Sequence, residues 1–173
     1  MFGCGSTDGA LSTSTVTPTI DTLVMDSDVV SWVDAAGAKA TACAATSFPA
    51  TPAADSVNVV VSSKAYSNTG DQGLPIRIES ATISYVPANS STPAMAPEFQ
   101  TIGMTIANGS TATIPVRVAT QEQKMHLQSV LACNNTIYNY YTKITFNVTE
   151  IGTNKKTSVD SSLQLRFSDF VDK

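Results

Sequence analysis

The chain holds one histidine, His126, so any serine–histidine–acid relay would have to run through it. Ser129 stands one helical turn further on. No oxyanion-hole signature accompanies the pair, and a solvated or packing histidine is the expectation. Asp26 and Asp28, with Asp21 and Asp34 nearby, carry the hard oxygen ligands that calcium takes. They lack a twelve-residue loop pattern or an ordered run of acids, so they are weak calcium candidates whose expected role is turn formation and loop solvation. Asp169 and Asp172 near the C-terminus are read the same way. Tyr138, Tyr140 and Tyr141, with Asn139, form the densest aromatic group. Alternation along a strand puts Tyr138 and Tyr140 on the core face and Tyr141 outward, so Tyr141 is the candidate contact for a sugar or protein ligand. No residue is assigned a catalytic role, no cofactor is expected, and the chain reads as non-enzymatic.

The three cysteines divide by context. Phe2-Gly3-Cys4 resembles the end of a bacterial lipoprotein signal, in which a small residue precedes an acylated cysteine. Met1 stands where leucine is usual. The resemblance implies that Cys4 is the lipid attachment site and that a basic segment and an apolar run are encoded before Met1. It also implies an exported protein at the bacterial outer membrane or cell surface. With Cys4 lipidated, Cys43 and Cys133 remain as an even pair that suits a disulfide in an oxidising compartment; the alternative is two separate buried thiols. Their spacing is far from C-x-x-C, which argues against zinc and dithiol redox chemistry. Residues 5–19 are mostly Ser, Thr, Gly and Ala. Residues 1–21 are therefore expected to be a lipid anchor and flexible tether, and 22–173 a single domain.

Composition narrows the partners. Charged residues make up 14% of the 173, while serine and threonine number 43, so hydroxyls more than charges keep the surface polar. The net charge is −4, and Lys155-Lys156 is the only adjacent basic pair. Nucleic-acid binding needs a basic stripe, so none is expected, and no apolar run approaches the ~18 residues of a membrane span.

The elements that would position these residues read as strands. Tyr138, Tyr140, Ile144, Phe146 and Val148 share one parity, and Val159, Leu163, Leu165 and Phe167 share the other. Facing residues of an antiparallel pair have a constant number sum, which here must be odd. A four-residue loop, Gly152–Lys155, gives 307 and faces Val148 with Val159. Around Asn108-Gly109 the apolar residues on both sides are even. A three-residue loop with Gly109 left-handed then faces Ile102 with Ile114. Pro115 lacks a ladder donor, so its strand is expected to have a free side or a bulge there. Val57, Val59 and Val61 alternate inward. The phase changes between Ile76/Ile78 and Ala81/Ile83/Tyr85, which needs an extra residue near Glu79-Ser80, a bulge or a bend between sheets. Val29–Val33 and Lys39–Cys43 are expected to form a hairpin around Ala35-Ala36-Gly37. Thr120-Gln121-Glu122-Gln123 is a capping box, predicting a short helix or turn that crosses between sheets and delivers Cys133 to the Tyr-rich strand.

Seven to eight short strands with little helix are the pattern of an all-β, antiparallel sandwich. In strand number and length the region 22–170 resembles immunoglobulin-like and fibronectin-like domains. The Cys-Trp-Cys order of true immunoglobulin domains is absent, because Trp32 precedes both cysteines. The whole resembles small bacterial surface lipoproteins. The expected function is a binding or assembly module for another envelope component, with a carbohydrate-binding or calcium-dependent adhesive module as the alternative. The expected partner is a protein or glycan of the envelope, with membrane contact through the lipid anchor only.

Overall fold

Val57, Val59 and Val61 alternate with outward residues over eleven positions, and this row builds the centre of one sheet. In the computed structural model, which describes residues 9–66 and 73–170, the elements follow as β1 (Gly9–Ala10), β2 (Ser14–Ile20), β3 (Val24–Asp28), β4 (Ser31–Val33), β5 (Phe48–Ala50), β6 (Asp55–Ala65), β7 (Ile76–Pro87), β8 (Glu98–Ile106), β9 (Thr111–Ala119), α1 (Gln121–Leu131), β10 (Tyr138–Glu150) and β11 (Lys156–Ser168). One sheet has the order β1-β2-β6-β9 and the other β3-β11-β10-β7-β8; β4 and β5 pair by themselves. The apolar faces of the two sheets meet. Val59, Ile114 and Val116 lie on one side and Ile144, Phe146 and Leu163 on the other, all essentially without solvent contact.

The all-β expectation holds, with two corrections. The larger sheet is mixed, because β3 runs parallel to β11, and among the described residues there are eleven strands rather than seven or eight. The tether expected over residues 1–21 is also overturned in its described part. Ser14, Val16 and Pro18 point inward and Thr15, Thr17 and Thr19 outward, and β2 pairs along β6 from Ser14↔Ala65 to Ile20↔Val59. A serine- and threonine-rich stretch looked structureless by composition, yet its β-branched residues alternate with buried ones at strand period. A Cβ on Gly9 would come within 2.4 Å of the Val159 side chain, so β1 lies hard against the second sheet. Cys4 and the rest of 1–8 lie outside the described residues.

For β10 and β11 the odd sum and the four-residue loop length hold, but Val148 does not face Val159: the register slips by two. Phe146 faces Val159 and Val148 faces Thr157, a sum of 305. The four-residue loop is Ile151–Asn154, with the Glu150 N–H on the Lys155 carbonyl and positive φ at Gly152 (110°) and Asn154 (57°). Glu150 stays in the strand because its inward-facing carboxylate is satisfied there.

For β8 and β9 the expected pairing is wrong. Ile102 does not face Ile114: β8 pairs with β7, as Ile76↔Ile106, and β9 with β6, as Val59↔Ile114. The chain crosses from one sheet to the other over residues 107–110. Gly109 is left-handed as expected (φ 73°), and its N–H is bonded to the Ser63 carbonyl. Matching parity requires only that both strands face the core, and crossing the sandwich meets that requirement as well as a hairpin does.

Two local expectations hold, and the hairpin expected over Val29–Val33 and Lys39–Cys43 is corrected. Register shifts beside Ile78–Ser80 mark the bulge in β7. Pro115 lies on β9, which has β6 on one side only. On the open side, Gln100 from β8 donates to the Pro115 carbonyl at 3.0 Å and accepts from the Arg117 N–H at 3.1 Å, closing that edge with a side chain. The hairpin after β4 shrinks to one bridge, Val33↔Lys39, and β4 pairs with β5 instead.

Candidate functional site

Thr120 starts α1 as a true capping box: its hydroxyl accepts from the Gln123 N–H at 3.1 Å, and the Gln123 side chain accepts from the Thr120 N–H at 2.9 Å. Leu127 and Leu131 anchor the helix to the core. Lys124, also buried, reaches Asp55 at the start of β6, with Nζ 2.7 Å from the carboxylate. The helix therefore joins β9 of one sheet to β10 of the other and is pinned by both apolar contact and charge. Ala132 leaves the helix in an extended conformation, and Cys133 follows with φ 57°.

Cys133 is bonded to Cys43, with Cα atoms 5.5 Å apart across 90 residues of sequence. Both cysteines are exposed and both have positive φ, a conformation rare for non-glycine residues. Asp169 sits beside the bridge. Its carboxylate accepts from the Cys133 N–H at 2.7 Å and from the Trp32 indole N–H at 3.2 Å. Trp32 thus comes to the disulfide through space, although its place in the sequence hid this. The two sulfurs and the Asp169 carboxylate lie within 4.8 Å of one another, but sulfurs bonded to each other offer no thiolate to a metal.

A cleft of about 1080 Å³ opens next to α1, between the helix and the 93–98 segment. Met95, Met125, Leu127 and Ala54 give it apolar walls, and Glu98, Arg117, Glu122 and His126 give it charged or titratable ones. The Tyr140 hydroxyl donates to the Pro93 carbonyl at 2.9 Å and holds one wall. Burial, then the neighbouring Tyr138, pushes the Tyr140 phenol up to about 12, so it stays a neutral donor. Burial likewise raises Tyr85 to about 12; its hydroxyl donates to the Val118 carbonyl. The cleft can hold an amphipathic group. Ser129, the nucleophile partner considered for His126, instead donates its hydroxyl to the His126 backbone carbonyl at 3.4 Å.

The remaining candidates fall on the outer face of the larger sheet. Tyr141 is exposed, opposite Val86 on β7 and Gln164 on β11. Asp26 is engaged by Arg166, whose Nε and Nη2 each meet one carboxylate oxygen, the latter at 2.7 Å. A guanidinium fork already occupies the oxygens a cation would need. Asp28 accepts from the Val30 N–H at 3.3 Å, the turn role expected of it. In the parallel ladder of β3 and β11, Asp26 faces Arg166 and Asp28 faces Ser168.

Sequence reasoning missed Glu150. It is fully buried, and its Oε1 accepts from the Thr13 N–H (2.9 Å), the Thr13 hydroxyl (2.8 Å) and the Ser14 hydroxyl (3.2 Å), while Oε2 accepts from Thr153 (2.6 Å). Burial pushes this carboxyl up, but the Thr153 hydroxyl, the Thr13 backbone and side chain and the Ser14 hydroxyl outweigh it and hold the group at about 2. The signal was present: Glu150 has the parity of Ile144, Phe146 and Val148, an acid on an apolar face. Lys124 gave less warning, since its partner Asp55 is distant in sequence.

No family model, curated protein or solved structure matches the chain.

Proposed function

We propose that this domain is a non-enzymatic binding module of the bacterial cell envelope, carried as a lipoprotein through Cys4 and holding another envelope component. The observation that carries the reading is the cleft beside α1, whose apolar walls and mixed charges suit contact with a partner, on a scaffold stiffened by two sheets and a disulfide. The Cys43–Cys133 bridge supports an oxidising compartment. The two facing sheets favour an immunoglobulin-like sandwich.

Two experiments test the proposal. A photoreactive residue in place of Met125, exposed on the cleft wall, should capture a partner in intact cells, whereas the same group in place of exposed Lys64 on β6 should not. Equal capture at both positions, or at neither, refutes it. A fatty-acid analogue should label the protein, and Cys4→Ser should release it from the membrane; unchanged membrane retention refutes the tether.

A second reading, carbohydrate binding, is favoured by one observation: Tyr141 and Phe99 are both exposed on the outer face of the larger sheet.

A further inference from the structure

We infer that the outer face of the five-stranded sheet binds a neutral polysaccharide chain, laid across it from Tyr141 to Phe99. This rests on the reading of the domain as a binding module and names both the ligand class and the face.

The register fixes the geometry. Tyr141 on β10 faces Val86 on β7; four residues back along β7, Thr82 faces Phe99 on β8. Paired residues of neighbouring strands share a face, so both rings stand on the same side of the sheet. Four residues along a strand and two strands across put them roughly 16 Å apart, at ~3.3 Å per residue and ~4.8 Å per strand. That is a span of several sugar rings rather than one. Phe99 is 63% exposed and Tyr141 39%. A pyranose presents a flat face of C–H groups with partial positive charge, which complements the negative face of an aromatic ring.

Beyond Val86, exposed beside Tyr141, the ground towards Phe99 is polar and electrically balanced. Lys143 faces Ser84, and Thr145 faces Thr82. The Lys143 ammonium lies 2.9 Å from Asp160, which also accepts from the Thr145 hydroxyl at 2.7 Å. Beside Tyr141, Gln164 donates to Asn139 at 3.3 Å, and Arg166 is matched by Asp26. Each charge on this stretch meets its opposite, so the face offers hydroxyl and amide partners without net charge. Such a surface complements an uncharged polyhydroxyl ligand better than an anionic one or a basic protein.

The test uses the full chain on a printed array of neutral and uronic-acid oligosaccharides, followed by calorimetry with the best neutral hexasaccharide. Neutral chains should be retained in preference to acidic ones. Tyr141→Ala and Phe99→Ala should each weaken binding at least tenfold and leave the melting temperature within a degree or two, because both rings are on the surface. Tyr141→Trp should keep or improve it. Retention of no neutral glycan overturns the inference, as do alanine variants that bind like the parent. Loss of binding in Met125→Glu but not in Tyr141→Ala would move the ligand to the cleft and also overturn it. Failure on the array with Met125-specific capture intact in cells would sink this inference and leave the binding-module reading standing; failure of both would sink the two together.

Discussion

Replacing Glu150 by glutamine removes a charge that the fold both buries and satisfies, and the consequence is a specific pH dependence. Thr13 and Ser14 at the start of β2 and Thr153 in the β10–β11 turn converge on this carboxylate, so it ties the first long strand to the last hairpin. Its pKa falls from the ordinary 4.5 to about 2. At ~1.36 kcal/mol for each tenfold change in acidity, that sets a ceiling of ~3 kcal/mol; the site lies at the rim beside a turn, so about 1–2 kcal/mol is the expected share. A carboxylate whose folded pKa is depressed stabilises the protein above its unfolded pKa, and that stabilisation is lost as pH falls through the folded value. The parent should therefore lose this contribution between about pH 4.5 and pH 2. At pH 7, Glu150→Gln should melt roughly 2–8 °C below the parent, taking ~2–4 °C per kcal/mol for a domain of this size. The difference should shrink steadily below pH 4.5, because glutamine does not titrate. Scanning calorimetry of both proteins at several pH values measures it. A gap equal at pH 6 and pH 2.5 would refute the account, since it would assign the cost to packing rather than to charge.

Other outcomes follow from single contacts. Lys124→Met should cost about 1–3 kcal/mol by leaving Asp55 unpaired, and Asp55→Asn in the same chain should recover part of it in urea unfolding. Thr120→Ala should lower stability by ~1 kcal/mol through loss of the cap on α1. Gly109→Val should cost about 1–3 kcal/mol although a side chain there meets nothing within 4 Å, because the penalty lies in the backbone at φ 73°; Gly109→Asn should be milder in the same assay. Alkylation without prior reduction, read by mass spectrometry, should label neither Cys43 nor Cys133.

Period-two alternation along one chain determined a good deal. It identified β6, β10 and β11, the inward sets of the last two, the bulge in β7 and the open side of the strand carrying Pro115. The capping box located the start of α1 to the residue, because it depends on contacts three positions apart. These features share a cause: local geometry and the need to hide apolar side chains act within a few residues. The pairing of strands is not local. Parity placed β8 and β9 facing the core but could not say whether they lie in one sheet or across from each other, since burial is equal either way. Residues 9–20 show the same limit from the other side: a polar composition suggested a tether, and only the neighbouring β6 and the Val159 side chain make it sheet. The Asp169–Trp32–disulfide group and the Glu150 cluster draw on residues more than a hundred positions apart, so tertiary structure alone assembled them. Tyr141 was legible as an outward aromatic. Its relation to Phe99 was not, because it depends on β7 lying between their strands.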